Sequence, residues 1–208
     1  MAVPVPADVH SLLEGYGIDS SVIADAWIET RRDRFIIPWV EQKTRQTVTG
    51  TSQVDEYLSG TGSSILAVSK KPIVSLDEIE LIHGGGGDWN IDVTSIEVIR
   101  REGILKATAN QLSSGTFQTP LFPRGKYNIR VRYTYGFATM PDDIAEAITF
   151  LLAEQVLTQI ANRTGGGGLN VQGYSRTYGE RGRYDNMRSE LARSAMSLLN
   201  PYFTGMTG

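Results

Sequence analysis

Asn128-Ile129-Arg130-Val131-Arg132-Tyr133-Thr134-Tyr135 alternates apolar and polar side chains with a period of two. Six residues further on, Pro141-Asp142-Asp143-Ile144 opens a segment with a different period. The first pattern is that of a strand with one buried and one wet face, as an antiparallel sheet allows. In the second, proline suits the first turn of a helix, and two acids favour the positive end of its dipole. Ile144, Ala145, Ile148, Leu151, Leu152, Val156, Leu157 and Ile160 then recur at helical spacing, which predicts a central core helix. The chain thus changes from sheet to helix near residue 140.

Upstream, Pro6-Ala7-Asp8 opens a short helix carrying Val9, Leu12 and Leu13, which Gly15 and Gly17 stop. Asp19-Ser20-Ser21 is expected to cap a second helix, with Ile18, Val22, Ile23, Ala26 and Trp27 at helical spacing. Arg31-Arg32-Asp33-Arg34 reads as a solvated face. Pro38, inside an apolar run from Phe35 to Val40, predicts a kink or a break. From Thr47-Val48-Thr49 onward β-branched residues take over. Residues 64–68 form a short apolar run, and Lys70-Lys71-Pro72 reads as a turn. Residues 73–82 give a mixed signal, residues 84–87 a glycine loop tip, and residues 91–99 a single strand. Arg101-Glu102-Gly103 and Ser113-Ser114-Gly115 read as turns. Downstream, a four-glycine linker at 165–168 leads to a segment, 169–182, with few aliphatics, expected to order only against a partner. A last helix over 184–199 carries Met187, Leu191, Ala195, Leu198 and Leu199, and Pro201 ends it.

The expected fold class is α+β: a helical-bundle body with an inserted antiparallel β subdomain and an extended C-terminal arm plus helix. Its parts are N-terminal helices (1–49), the β insertion (50–137), the core helix (138–163) and the arm with its helix (164–208).

The 208 residues suffice to bury a real core. Hydrophobic residues make up 40% and charged residues 21%, as in ordinary folded proteins, and the net charge of −3 predicts no general affinity for nucleic acid. With no cysteine there are no disulfides, thiol nucleophiles or zinc–thiolate sites. His10 and His83 are too few for a histidine-rich metal site. No metal and no cofactor are expected. The N-terminus has no basic stretch ahead of an apolar run, so no signal peptide is expected. The apolar stretch 144–160, interrupted by Glu146, Glu154 and Gln155, reads as too short and too polar to span a bilayer. No membrane association is expected, and the protein is expected in the cytoplasm where it is made.

Neither glycine run has the Gly-Lys-Ser/Thr ending of a phosphate-binding P-loop. His83-Gly84-Gly85-Gly86-Gly87 is not accompanied by a Gly-x-Ser-x-Gly nucleophile elbow. Asp142 and Asp143 could be paired for acid–base chemistry, but helix capping accounts for them more simply. No catalytic residues are expected. The arm and last helix differ from the rest. Between Arg163 and Arg193 there are six arginines, no lysine and three acids, so the stretch carries +3 and the remainder −6. Tyr174, Tyr178 and Tyr184 interleave with them. Arginine and tyrosine are the side chains that dominate protein interfaces. Tyr174, Arg176, Tyr178, Arg181, Arg183, Tyr184, Arg188, Tyr202 and Phe203 are the candidate contacts with a neighbouring subunit or partner.

Three stretches resemble a known family. They are Ile65-Leu66-Ala67-Val68-Ser69-Lys70-Lys71-Pro72-Ile73-Val74-Ser75; Phe122-Pro123-Arg124-Gly125-Lys126-Tyr127 running into Tyr135-Gly136-Phe137 and Pro141-Asp142-Asp143-Ile144; and Tyr174-Ser175 with Leu198-Leu199-Asn200-Pro201-Tyr202. Together, over residues 60–203, they resemble the head–tail connector (adaptor) proteins of tailed bacteriophages and gene-transfer agents. The resemblance implies a structural virion protein made in the bacterial host cytoplasm. It implies a homo-oligomeric ring of about twelve subunits in the virion neck, beneath the portal protein and above the tail or a stopper protein. Double-stranded DNA would pass through the channel without sequence-specific binding. The small family members are nearly all helical, so the long β region is a departure. On the resemblance, residues 165–184 and the last helix would engage the portal. A tail-completion or baseplate protein is the alternative, and an enzyme using Asp88, Asp92, Asp142 or Asp143 a third reading.

Overall fold

The computed structural model describes residues 3–21, 23–82, 89–108, 122–163 and 179–203. The chain divides into two units, Met1–Thr44 with Met140–Gly208, and Arg45–Thr139. The class is α+β.

The first unit is helical. Its elements are α1 (Pro6–Gly15), α2 (Asp25–Arg31), a π turn (Arg32–Ile36), α3 (Ile37–Thr44), α4 (Asp142–Arg163) and α5 (Gly179–Leu199), with a closing 3-10 turn at Asn200–Tyr202. Asp8 folds back on the start of α1, accepting from the Val5 N–H at 2.8 Å. The Asp19-Ser20-Ser21 cluster caps no helix. Asp19 accepts from the Ser21 N–H at 3.0 Å and its hydroxyl at 2.6 Å, closing a local turn, so α2 begins only at Asp25. Pro38 causes no break. The π turn precedes it, and the Ile37 N–H reaches back five residues to the Arg32 carbonyl. Proline lacks the N–H and its ring crowds the carbonyl four residues earlier. One wider turn accommodates both, and the helix runs on.

Helix α4 is the centre of this unit. Ile144, Ala145, Ile148, Leu152, Ala153, Val156 and Leu157 are fully buried, and α1, α2, the π turn and α5 pack around them. By length and composition alone, Asp142–Asn162 is apolar enough to cross a membrane, with a mean hydropathy of 1.3, which corrects the expectation from its charges. Its apolar surface is instead taken up by the neighbouring helices. Helix α5 contributes Met187, Leu191, Ala195 and Leu199 to the same core. It starts at Gly179, not near 184, because glutamate and arginine are good helix formers and each added residue gains a backbone bond.

The second unit holds two antiparallel sheets. In chain order the strands are β1 (Gly50–Gly60), β2 (Ile65–Ala67), β3 (Ile73–Leu81), β4 (Trp89–Ile91), β5 (Ile96–Ile99), β6 (Ile104–Ala107) and β7 (Gly125–Phe137). The four-stranded sheet runs β1-β7-β3-β4 and the three-stranded one β2-β6-β5. Residues of both sheets share one core, including Leu66, Ile79, Leu105, Ile129, Val131 and Tyr133. The alternation at 128–135 is realised in β7: Ile129, Val131 and Tyr133 are fully buried, whereas Arg130, Arg132 and Thr134 face outward. The mixed pattern at 73–82 is a strand whose register against β7 shifts twice, between Ile73 and Ser75 and between Leu76 and Glu78. Each shift adds a residue and flips the face, so Leu76 also packs against the core that Ile73, Ile79 and Leu81 enter. The single strand expected over 91–99 is two strands in different sheets. A 3-10 turn at Val93–Ser95 separates them, capped by Asp92, whose Oδ1 accepts from the Thr94 N–H at 2.9 Å. The turns expected at 84–87 and 113–115 lie outside the described residues.

Candidate functional site

Three of the nine sequence-derived contact residues, Tyr174, Arg176 and Tyr178, lie outside the described residues. Arg181 and Arg183 fall on the first turns of α5. Tyr184, Arg188, Tyr202 and Phe203 are half-buried. Arg188 is tied to the body: its Nε and Nη2 both meet Glu154 Oε1 on α4 at 3.0 Å, and its Nη1 meets Asp185 at 3.4 Å. Glu154 is only 16% exposed, so the pair works as a clasp between α4 and α5. The candidates do not converge. Arg188 and Tyr202 are separated by fourteen residues of mostly helical chain, about 20 Å along the axis. Such a spread suits a contact surface rather than a reaction centre.

In the β unit, the outer face of the four-stranded sheet is a charge ladder. Asp55 lies opposite Arg132 across β1 and β7, Glu78 opposite Arg132 and Glu80 opposite Arg130 across β3 and β7. Arg132 Nε meets Asp55 at 2.9 Å, and its Nη1 meets Glu78 at 3.3 Å. Arg130 Nη2 meets Glu78 at 3.1 Å and Glu80 at 2.8 Å. Facing cross-strand positions bring opposite charges within reach without bending the strands. An open recess of about 570 Å³ beside the ladder is lined by Gln53, Asp77, Glu78, Asn90, Asp92 and Arg132. Several of its polar groups are already engaged: Asp77 accepts from Gln53, Ser75 and Thr134. Among the described residues no group of three or more His, Asp or Glu side chains is placed to hold a metal ion.

The inner face of the same sheet holds one polar network. The Tyr133 hydroxyl donates to Glu56 Oε2 at 2.7 Å and accepts from the Lys70 N–H at 3.1 Å. The Ser69 N–H donates to the same carboxylate at 3.1 Å. Burial, and then the bond to Glu56, push the Tyr133 hydroxyl above its ordinary pKa near 10. This network pins the Lys70-Lys71-Pro72 turn to the sheet, and the Lys71–Pro72 peptide is cis. His10 has a comparable role in the helical unit, where its ring bridges Ser20 Oγ at 2.7 Å and Asp25 Oδ1 at 3.0 Å.

The stretch read as a solvated face is more specific than that. Arg32 is taken up by Asp33 at 2.7 Å and the Pro4 carbonyl at 2.8 Å. Arg31 lies between two rings, 5.1 Å from the Trp27 centroid and 4.8 Å from that of Phe35. Lys43 sits 5.9 Å from the Trp39 ring. Trp27, Arg31, Phe35, Trp39 and Lys43 thus recur every four residues along α2, the π turn and α3, and Phe35 is 53% exposed. That spacing was present in the sequence. Pro38 obscured it, because a break there would have scattered these side chains.

The sequence matches no protein-family model. No curated protein matches it. Its fold does have solved counterparts. A structure described as the neck of an empty GTA particle, computed with C6 symmetry, contains a chain that superposes with a TM-score of 0.50 at 17% identity. The match covers 100% of this chain and 95% of that one. A chain in the virion of a native gene transfer agent particle gives 0.47 at 16% identity, over 89% and 81% of the two chains. One in the neck of a native GTA particle computed with C12 symmetry gives 0.47 at 15%, over 100% and 95%. At 17% identity the likeness to the first of these is one of fold.

Proposed function

We propose that this chain is a structural component of the neck of a tailed-phage-like particle, a head–tail connector. In this reading it forms a ring of about twelve copies between the portal protein and the tail or a stopper protein, around the channel through which DNA leaves. The observation that carries the proposal is the end-to-end likeness of fold to a chain of a GTA neck, over 100% of this chain and 95% of that one. It extends over the helical and β parts alike, so the long β region is no obstacle. The C6 symmetry used for that neck is one that a ring of twelve satisfies. The ladder of internally paired charges and the net charge of −3 also suit a wall past which DNA must slide without being gripped. Within the ring, Arg181, Arg183, Tyr184, Tyr202 and Phe203, with Tyr174, Arg176 and Tyr178, form the proposed portal contacts. Arg188 braces α5, which carries Arg181, Arg183 and Tyr184.

Complementation tests this. DNA-filled heads made without the chain should fail to join tails, and adding the purified chain should restore joined particles. Heads that join tails without it would contradict the proposal and favour a tail-completion or baseplate role.

A further inference from the structure

We infer that the stripe of Trp27, Arg31, Phe35 and Trp39 docks a second copy of the chain, with the Arg31 guanidinium receiving a carboxylate from that copy. The inference rests on the ring reading and names one of the ring's contacts.

Side chains four residues apart drift by about 40° per step around an α-helix, and the wider turn at Arg32–Ile36 winds part of that drift back. The stripe therefore stays on one side of the helix, and the ring contacts of Arg31 with both Trp27 and Phe35 are the direct sign of it. A guanidinium placed 5.1 Å from one ring centroid and 4.8 Å from another still has N–H donors to offer, and their fork fits a planar carboxylate. Among the described residues Arg31 has no carboxylate partner, and Asp33, its nearest acid in sequence, is engaged by Arg32. Residues 25–44 carry four basic and four acidic side chains, a neutral stretch with an aromatic collar. A nucleic-acid backbone would call for a net positive one.

The same helical unit carries a complement. Asp143 and Glu146 are exposed on the first two turns of α4, three residues apart and so on one face, and neither has a partner among the described residues. A contact between the Arg31 stripe and these acids joins two different patches, the kind of interface that closes into a ring.

Charge exchange in the full chain tests this, with assembly read by mass photometry with and without purified portal rings. Folding of each variant is checked by circular dichroism and thermal melting. Arg31→Glu, and separately the pair Asp143→Arg with Glu146→Arg, should each weaken assembly roughly a hundredfold, since like charges then face each other. The triple variant should restore it. Unchanged assembly of folded Arg31→Glu would overturn the inference and leave the ring reading standing. Loss in both variants without restoration in the folded triple would also overturn it. A wild-type chain that never assembles would overturn both. Retention of a short DNA duplex that Arg31→Glu abolishes would assign the stripe to nucleic acid and overturn the inference.

Discussion

Glu56 shows how one side chain can organise a turn. It is half-buried on the inward side of β1, and its carboxylate accepts from the Tyr133 hydroxyl and the Ser69 N–H. Glu56→Ala leaves both donors without their acceptor, and urea unfolding should report a loss of about 2–3 kcal/mol. Tyr133→Phe removes a single hydroxyl and should cost only about 1–2 kcal/mol. The two differ also in pH dependence. Tyr133 holds its proton more tightly when folded than when unfolded, through burial first and the Glu56 bond second. That contribution is complete below the ordinary tyrosine pKa and is lost as pH rises past it. The unfolding midpoint should therefore hold up to about pH 10 and fall above it, and Tyr133→Phe should flatten that fall. A wild-type midpoint indifferent to pH across this range would refute the network's role.

Among the elements, β7 and α4 were legible from sequence because a single burial requirement governs each along its length. Strand β7 lies between β1 and β3 with one face inward, so its period of two is undisturbed from Ile129 to Tyr133. The elements misread are those in which a local bond competes with the period. Asp19 and Asp92 each turn their carboxylates onto a nearby N–H, which delays one helix and splits one strand. Strand β3 hides its two register shifts in a pattern that fits neither period. Strand β1 gave the faintest signal because it is an edge strand: only Val54, Glu56, Leu58 and Gly60 turn toward the interior. The candidate contacts were legible only as composition. That Arg188 belongs to a clasp with Glu154 depends on which helix packs beside α5, and no local pattern encodes that. At this scale Gly136 is the sensitive point. It has φ +103°, and a Cβ there would run into the Gly50 carbonyl where β1 meets β7. Gly136→Ala should destabilise the protein by roughly 2 kcal/mol or more, read from the thermal midpoint, while Gly15→Ala, where a Cβ meets open space, should be nearly neutral.

For the whole molecule, the fold separates two tasks. The helical unit carries both halves of the proposed ring contact, the Arg31 stripe and the acids at the start of α4, and also the helix proposed to meet the portal. The β unit pairs Arg130 and Arg132 with acids of its own sheet, and its two sheets share one core. Separate sites for subunits and for portal are what a ring inserted between two other rings requires. Counting copies by mass photometry of the purified chain mixed with portal rings tests this most directly. The account predicts one discrete complex carrying about twelve copies per portal ring. Portal rings that remain bare under every mixing condition, or a trimer or hexamer that ignores them, would contradict it.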